Sequence, residues 1–352
     1  MNDIHFVKSI KIENFRCFDS LTVNSLARVN LLGGDNNVGK STFLEALEII
    51  TQAKTKVDFL KIIRDITYRR QGKNRQDNEF DITAYDKDCF ELKTTNHRVF
   101  FEIQLNKTIS IPEDKDRIGE QYADIGDTHQ IELKVNNDSE QISQSRFIDI
   151  LNNSSRSGSL RYSHDSKLNK NINFITSTTI DEIRLSSLYG KIVDLGIEKE
   201  IDRFLKEFDP RLDSLVIRPT ERHSVFKIKL KGKQQPVLLS SMGEGLNRYV
   251  AIICAIWKSQ NGHLFIDEIE NGIHYKKYEK LWEIIFKTSK EANCQVFAAT
   301  HSRECIEAFS RIAEQCDREN IKYVNFSRAF DNPDEIVATV LEMVMNLSKK
   351  KD

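Results

Sequence analysis

The sequence predicts an α/β fold organised around a phosphate-binding strand–loop–helix unit, and three observations predict it. The first is Leu31-Leu32-Gly33-Gly34-Asp35-Asn36-Asn37-Val38-Gly39-Lys40-Ser41-Thr42, which fits GxxxxGK[ST] between an apolar strand and the amphipathic run Phe43 to Ile50. The second is the apolar segment His263-Leu264-Phe265-Ile266, which ends in the acids Asp267 and Glu268. The third is Phe297-Ala298-Ala299-Thr300, a small apolar strand ending in His301.

The glycine-rich loop points to a nucleoside triphosphate. Gly34 and Gly39 let the backbone curl so that the N–H groups from Gly34 through Asp35, Asn36, Asn37, Val38 and Gly39 to Lys40, Ser41 and Thr42 face a phosphate. The helix that follows turns its positive end to the same anion. Lys40 is placed to reach the β- and γ-phosphates, and the Ser41 hydroxyl to ligate Mg²⁺.

A further segment, Leu239-Ser240-Ser241-Met242-Gly243-Glu244-Gly245, reads as an ABC-type signature, with Ser241, Gly243 and Glu244 standing where LSGGQ has its Ser, second Gly and Gln. A hydrophobic strand followed by Asp-Glu is common by itself, and a lone histidine at a strand end is more often structural than catalytic. The order P-loop, signature, acidic strand (Walker B) and histidine is what carries the reading. About two hundred residues separate the P-loop from Asp267, and the signature directly precedes the acidic strand. RecA-like and AAA+ layouts do not have that spacing; an ABC ATPase head with an insertion in its first half does.

At these residues the chain resembles the overcoming-lysogenisation-defect (OLD) family and its small relatives, whose ATPase head is shared with SMC and RecF proteins. The resemblance rests on Ile10 to Phe18, on Gly34 to Ser41, on Ser241 to Gly245 with Arg248, and on Asp267-Glu268-Ile269-Glu270-Asn271-Gly272-Ile273-His274 with Thr300-His301-Ser302. It covers about residues 1 to 50 and 185 to 310. It implies an ABC-type P-loop head with a β-rich lobe and an inserted polar or helical arm. It also implies that Ser241 and the Gly243 amide cap the γ-phosphate held by a partner subunit, with Arg248 or Asn271 near the dimer seam.

Composition fits a cytoplasmic enzyme. In 352 residues, 39% are hydrophobic and 30% charged, enough for at least one large core. The formal net charge of −1 provides no global attraction to nucleic acid. Lys61, Arg64, Arg69, Arg70, Lys73 and Arg75 form a local basic stretch that reads either as phosphate contacts for DNA or as a solvated basic loop. The six cysteines, Cys17, Cys89, Cys254, Cys294, Cys305 and Cys316, have no CxxC pair, as expected of reduced thiols. The longest apolar stretch, Val250 to Trp257, is too short to cross a bilayer, and no signal peptide is legible.

Residues 7–33 alternate as two or three strands, and Leu44, Leu47, Ile49 and Ile50 line a helix face. Phe90 to Leu92 and Val99 to Leu105 flank a turn at Thr94-Thr95-Asn96 and predict a hairpin; Ile131, Leu133 and Val135 predict another strand. From Asn106 to about Thr179 the chain is polar, with no sustained heptads, and reads as a short lobe or arm. Ile197 to Phe208 is helical, Phe226 to Leu230 pairs with Pro236 to Leu239, and Asp334 to Leu347 is expected as a closing amphipathic helix. The expected division is 1–105 and 185–352 for the two parts of the head, with 106–184 inserted.

The chemistry assigns roles. Asp267 holds Mg²⁺, Glu268 orients or deprotonates the attacking water, and His301 helps place that water against the γ-phosphate. Glu270 has two open readings, a support for the water or a dimer contact. Arg16 reads as a nucleotide contact or a strand-end charge, and neither Gln52 nor Gln71 has a context that marks a Q-loop. Asp331, Asp334 and Glu335 sit at the expected helix start, where first-turn acids serve capping rather than a nuclease metal.

The functional expectation is a Mg²⁺-dependent ATPase that forms a homodimer or higher homo-oligomer around ATP. By the resemblance, it controls a separately encoded nuclease or toxin in antiphage defence. The competing class is a RecF- or SMC-like clamp on DNA, which keeps DNA as a candidate partner.

Overall fold

In a computed structural model of the protein, the described residues are 5–71, 83–84, 87–95, 97–107, 129–136, 138–143, 171–220, 224–316 and 318–341. The chain divides into two compact units. One comprises Met1–Ile10, Leu21–Leu44 and Asn169–Asp352; the other comprises Lys11–Ser20 and Glu45–Leu168.

The centre of the first unit is a six-stranded sheet. Its members are β3 (Val29–Gly34), β8 (Ile172–Ile175), β12 (His263–Ile266), β13 (Gln295–Ala299), β14 (Ile321–Arg328) and β15 (Ile336–Leu341). They lie in the order β15-β14-β3-β13-β12-β8. All adjacent pairs are parallel except β14 with β15. Strands β3, β12 and β13 are apolar almost throughout and nearly every residue in them is buried, as a parallel strand covered on both faces requires. Parallel pairing also puts the ends of β3, β12 and β13 on one edge, with Leu32 beside Ala299 and Ile266 beside Ala298. The three motif loops therefore leave the sheet side by side.

Helices α3 (Glu182–Leu195), α4 (Glu198–Phe208), α5 (Glu244–Lys258), α6 (Tyr278–Glu291) and α7 (Arg303–Ala313) belong to the same unit. The α5 helix is buried from Arg248 through Trp257. The α3 helix starts at Asp181, whose carboxylate accepts from the Arg184 N–H, and stops at Gly196 in the left-handed region. Three antiparallel strands, β9 (Leu212–Pro219), β10 (Ser224–Leu230) and β11 (Val237–Leu238), form a small sheet in the order β11-β10-β9.

The expected closing helix is absent where the structure is described. Residues Ile336–Leu341 form β15, paired antiparallel to β14 from Arg328–Ile336 to Tyr323–Leu341. The sequence there is IVATVL, a β-branched run that favours a pleated strand once a partner edge is available. Residues 342–347 lie outside the described residues. Consequently Asp331, Asp334 and Glu335 occupy the β14–β15 connection, not a helix start, and the Glu335 N–H donates to the Asn332 carbonyl across that turn.

A further sheet, most of whose residues belong to the second unit, runs in the order β2-β1-β4-β5-β6-β7, made of β1 (Ile10–Phe15), β2 (Phe18–Val23), β4 (Cys89–Thr94), β5 (Arg98–Lys107), β6 (His129–Val135) and β7 (Asp138–Ser143). From β4 to β7 it is an antiparallel meander, so the hairpin expected at Thr94–Asn96 and the strand around Ile131 are both present. Phe59, Phe90 and Phe101 stack in its core at centroid distances of 4.8 to 6.0 Å.

The expected basic stretch falls largely on helix α2 (Lys56–Gln71), and its arginines have acids of their own. Arg70 forms a two-bond pair with Glu45 at 2.8 and 2.9 Å, Arg69 pairs with Glu48, and Arg16 lies 3.4 Å from Glu45. Both glutamates are buried on helix α1 (Lys40–Gln52), which is covered on all sides and not on one face only. Burial pushes the Glu48 carboxyl up, and Arg69 opposes that shift. Lys73 and Arg75 lie outside the described residues.

Candidate functional site

The loop between β3 and α1 is shaped by positive φ. Gly34 has φ +127°, and a Cβ there would stand 2.0 Å from the Phe326 carbonyl oxygen of β14. No side chain fits, which explains the glycine. Asn37 at 60° and Gly39 at 81° complete the turn, and the Phe43 N–H then closes the first helical bond on the Gly39 carbonyl.

Lys40 points into this loop. Its ammonium donates to the Gly34 carbonyl at 2.8 Å and to the Asp35 carbonyl at 2.6 Å. Burial lowers its pKa, while Asp267, Asp35, Glu270 and Glu268 pull the other way. Beside it the Ser41 hydroxyl donates to both oxygens of Asp267, at 3.1 and 2.9 Å. A hydroxyl and a carboxylate meeting in this way are hard oxygen donors of the kind Mg²⁺ prefers, and together with the lysine they fit a metal–triphosphate.

The acidic strand end is fixed from behind. Arg248 of α5 is buried and donates to the Thr176 carbonyl at 2.9 Å, the Asp267 carbonyl at 2.6 Å and the Glu268 carbonyl at 2.7 Å. Burial acts against its charge and is offset by Glu270, Glu268, Asp267 and Glu244. The residue expected near a dimer seam is thus an internal tie between the signature helix and the acidic strand end. Glu268 has φ 47°, a left-handed conformation that costs a non-glycine residue about 1–2 kcal/mol. Its carboxylate accepts from the Asn271 amide at 3.1 Å, and the same amide donates to the Ser177 carbonyl at 2.7 Å. Asn271 therefore orients Glu268.

His301 enters through Glu270. One Glu270 oxygen accepts the His301 N–H at 2.8 Å and the Ser302 N–H at 3.2 Å, and the other is buried without a hydrogen-bond partner. Ser302 caps α7 by accepting from the Cys305 N–H, so the histidine sits one residue ahead of a fixed helix start. The Ile269 N–H to the Ala299 carbonyl, 3.0 Å, and the Thr300 N–H to the Leu32 carbonyl, also 3.0 Å, bind the three loops into one edge. Sequence reasoning placed Asp267, Glu268 and His301 but not the ties made by Glu270 and Asn271. The Glu-Asn pair two and three residues after Glu268 was the available signal.

Glu270→Ala is expected to slow turnover on the order of 10–10² while leaving ATP affinity near the parental value, because misplacing one catalytic group acts on the rate. Steady-state kinetics separating kcat from KM, with calorimetric binding alongside, checks this; an unchanged kcat would remove Glu270 from the site.

The signature residues are exposed. Ser241 lies in a short 3₁₀ turn and donates its hydroxyl to the Leu238 carbonyl at 2.7 Å, Gly243 has φ 96°, and Glu244 begins α5 and accepts from the Thr179 hydroxyl at 2.7 Å. None has a hydrogen bond to the P-loop among the described residues. Gly245 packs on the turn after the acidic strand, where a Cβ would meet the Gly272 carbonyl at 2.3 Å.

Residues 29–307, about four fifths of the chain, match the family described as "AAA domain, putative AbiEii toxin, Type IV TA system". The chain belongs to this family. This AAA-domain protein is 24% identical over 337 residues to an ATP/GTP phosphatase of Helicobacter pylori, covering 88% of this chain and 89% of that one. It is 28% identical over 211 residues to the DNA replication and repair protein RecF of Oenococcus oeni, which covers 57% of this chain and 54% of that one. Among solved structures it is similar to an SMC head bound to the C-terminal winged-helix domain of ScpA, with TM-score 0.52, 11% identity and coverage of 96% and 97%. The fold is that of an ABC-type P-loop head, the fold of SMC heads, and the protein is an ATPase of the AAA-domain class. No helix among the described residues is long and apolar enough to cross a membrane.

Proposed function

We propose that this protein is a Mg²⁺-dependent ATPase of the small OLD-like kind. It closes as a homodimer around ATP and controls a separately encoded nuclease or toxin in antiphage defence. The observation that carries the ATPase reading is the Ser41–Asp267 contact beside Lys40, with the Glu268 carboxylate bonded by Asn271 and its main-chain carbonyl by Arg248. When bound, Mg²⁺ neutralises charge on the β- and γ-phosphates. The protein's own groups do the rest. Lys40 and the loop N–H groups hold the phosphates, Glu268 takes a proton from water, and His301, seated by Glu270, orients that water.

Dimer closure is supported by the exposure of Ser241, Gly243 and Glu244 at the start of α5, whose positive end is open to a phosphate from another subunit. Control of an effector is supported by the OLD-like resemblance and by the toxin–antitoxin description of the family. In the described residues, the groups that the site gathers all address a triphosphate.

The shared site has a direct test. Ser241→Arg and Lys40→Ala, each inactive alone, are expected to regain part of the ATPase rate when mixed, because one composite site in the mixed dimer pairs an intact P-loop with an intact signature. Mixing with labelled subunits shows that exchange has occurred. Exchange without recovery would refute trans assembly. ATPase activity with no cleavage of plasmid, single-stranded DNA or RNA is expected of the purified chain. Metal-dependent cleavage lost on changing Asp331, Asp334 or Glu335 would make the protein a nuclease itself.

A further inference from the structure

On α2, Arg69 and Arg70 are occupied by Glu48 and Glu45 and Arg64 by Asp65, but a second group of cations is not so neutralised. Strand β10 reads Ser-Val-Phe-Lys-Ile-Lys-Leu, and the chain continues Lys231-Gly232-Lys233. Phe226 and Ile228 are buried in the main core, with the Tyr189 ring 5.8 Å from Phe226. Alternation then puts Lys227 and Lys229 on the opposite face. Register places Val216 and Leu238 beside Lys227, Ser214 beside Lys229, and Arg218 beside Val225. These positions carry no acid. Asp213 alone approaches, 4.0 Å from Lys229, and it is shared with Lys206 at 3.3 Å. Lys227, Lys231, Lys233 and Arg218 have no ion-pair partner among the described residues, and all but the half-buried Lys227 are exposed.

We propose that the outer face of the β9–β10–β11 sheet binds the phosphate backbone of a nucleic acid without regard to sequence, through Arg218, Lys227, Lys229, Lys231 and Lys233. Scattered lysines need no explanation, but a row of like charges approached by one shared acid repels itself and is relieved by a polyanion. Alternate residues of a strand stand about 6.7 Å apart. That spacing is on the scale of the separation between successive phosphates along one nucleic-acid strand, so neighbouring lysines can meet neighbouring phosphates. Val216, Val225 and Leu238 give the row apolar ground for sugars. An acidic peptide is the poorer fit, since β10 is an inner strand and offers no edge for main-chain pairing. The proposal is independent of the ATPase reading, because none of these side chains belongs to the triphosphate site.

The test is fluorescence anisotropy on the full chain without nucleotide, using duplex DNA, single-stranded DNA and RNA of equal length between 50 and 200 mM salt. Salt-dependent binding of at least one of them is expected, and the three arms identify which. Lys227→Gln, Lys229→Gln and Lys231→Gln together should lower the salt slope by about 3 and weaken binding on the order of 10²-fold at low salt. The corresponding Lys→Arg triple should bind as the parent does. Lys61→Gln with Arg64→Gln, on α2, should change nothing. Thermal melting and ATP affinity of each variant show that the fold is intact, and Arg218→Glu provides a second variant if the triple melts early. Absence of salt-sensitive binding to all three nucleic acids, parental binding by the folded triple variant, or equal competition by poly-glutamate would each overturn the proposal.

Discussion

Lys40→Ala is expected to weaken ATP binding by at least about 10²-fold, as the loss of two charge-assisted hydrogen bonds at about 1.5–3 kcal/mol each would do. The lysine is already inside the loop, held by the Gly34 and Asp35 carbonyls, with Asp267, Asp35, Glu270 and Glu268 in its electrostatic surroundings. Removing the ammonium leaves those acids facing an incoming anion with no compensating cation on the loop, so the penalty falls on binding. Calorimetric titration with ATP and Mg²⁺ measures it directly. Parental affinity in the variant would mean that the loop does not hold the triphosphate.

Glu268→Gln is expected to keep ATP binding and slow hydrolysis on the order of 10²–10⁴, the usual contribution of a positioned general base. Glutamine keeps the shape of the side chain and still accepts from Asn271, and the Arg248 bond to the Glu268 main-chain carbonyl is untouched. What it removes is the capacity to take a proton. Because the resting geometry survives, the variant should collect in its ATP-bound form as a closed dimer, seen as a larger species by sizing with ATP and Mg²⁺. Hydrolysis at the parental rate would transfer the base to Glu270 or His301. The left-handed φ of Glu268 adds a second readout. Glu268→Gly should relieve backbone strain and raise thermal stability while abolishing turnover, since function and local strain reside in the same residue.

The departures from the sequence reading share a cause. Residues Asp334 to Leu341 carry polar and apolar residues at a spacing that serves either a helix or a strand, and the neighbouring edge of β14 settled it as a strand. Arg69 and Arg70 read as phosphate contacts or as part of a solvated loop only while Glu45 and Glu48 are counted as the solvent side of α1. Burying that side made them ion-pair partners. The resemblance put Arg248 or Asn271 near a dimer seam, yet Arg248, one turn into the signature helix, faces inward, where three carbonyls accept three of its five N–H donors and Nε is buried without a partner.

By itself the sequence determined the α/β class, the P-loop, the acidic strand end and the histidine, because each depends on a short local pattern: an apolar strand, a turn that only glycine can make, and a reactive residue at the strand's end. It also determined their order along the chain, which separates this layout from other P-loop classes. Only the tertiary structure decided how the pieces are held. That β3, β13 and β12 lie side by side is a fact of parallel pairing between segments more than two hundred residues apart. The hydrogen bonds of Glu270 to the His301 loop and of Asn271 to Glu268 exist because that pairing brings the loops to one edge. Long-range pairing leaves no periodic trace in a sequence, so the groups proposed for the chemistry were legible and the groups that hold them in place were not.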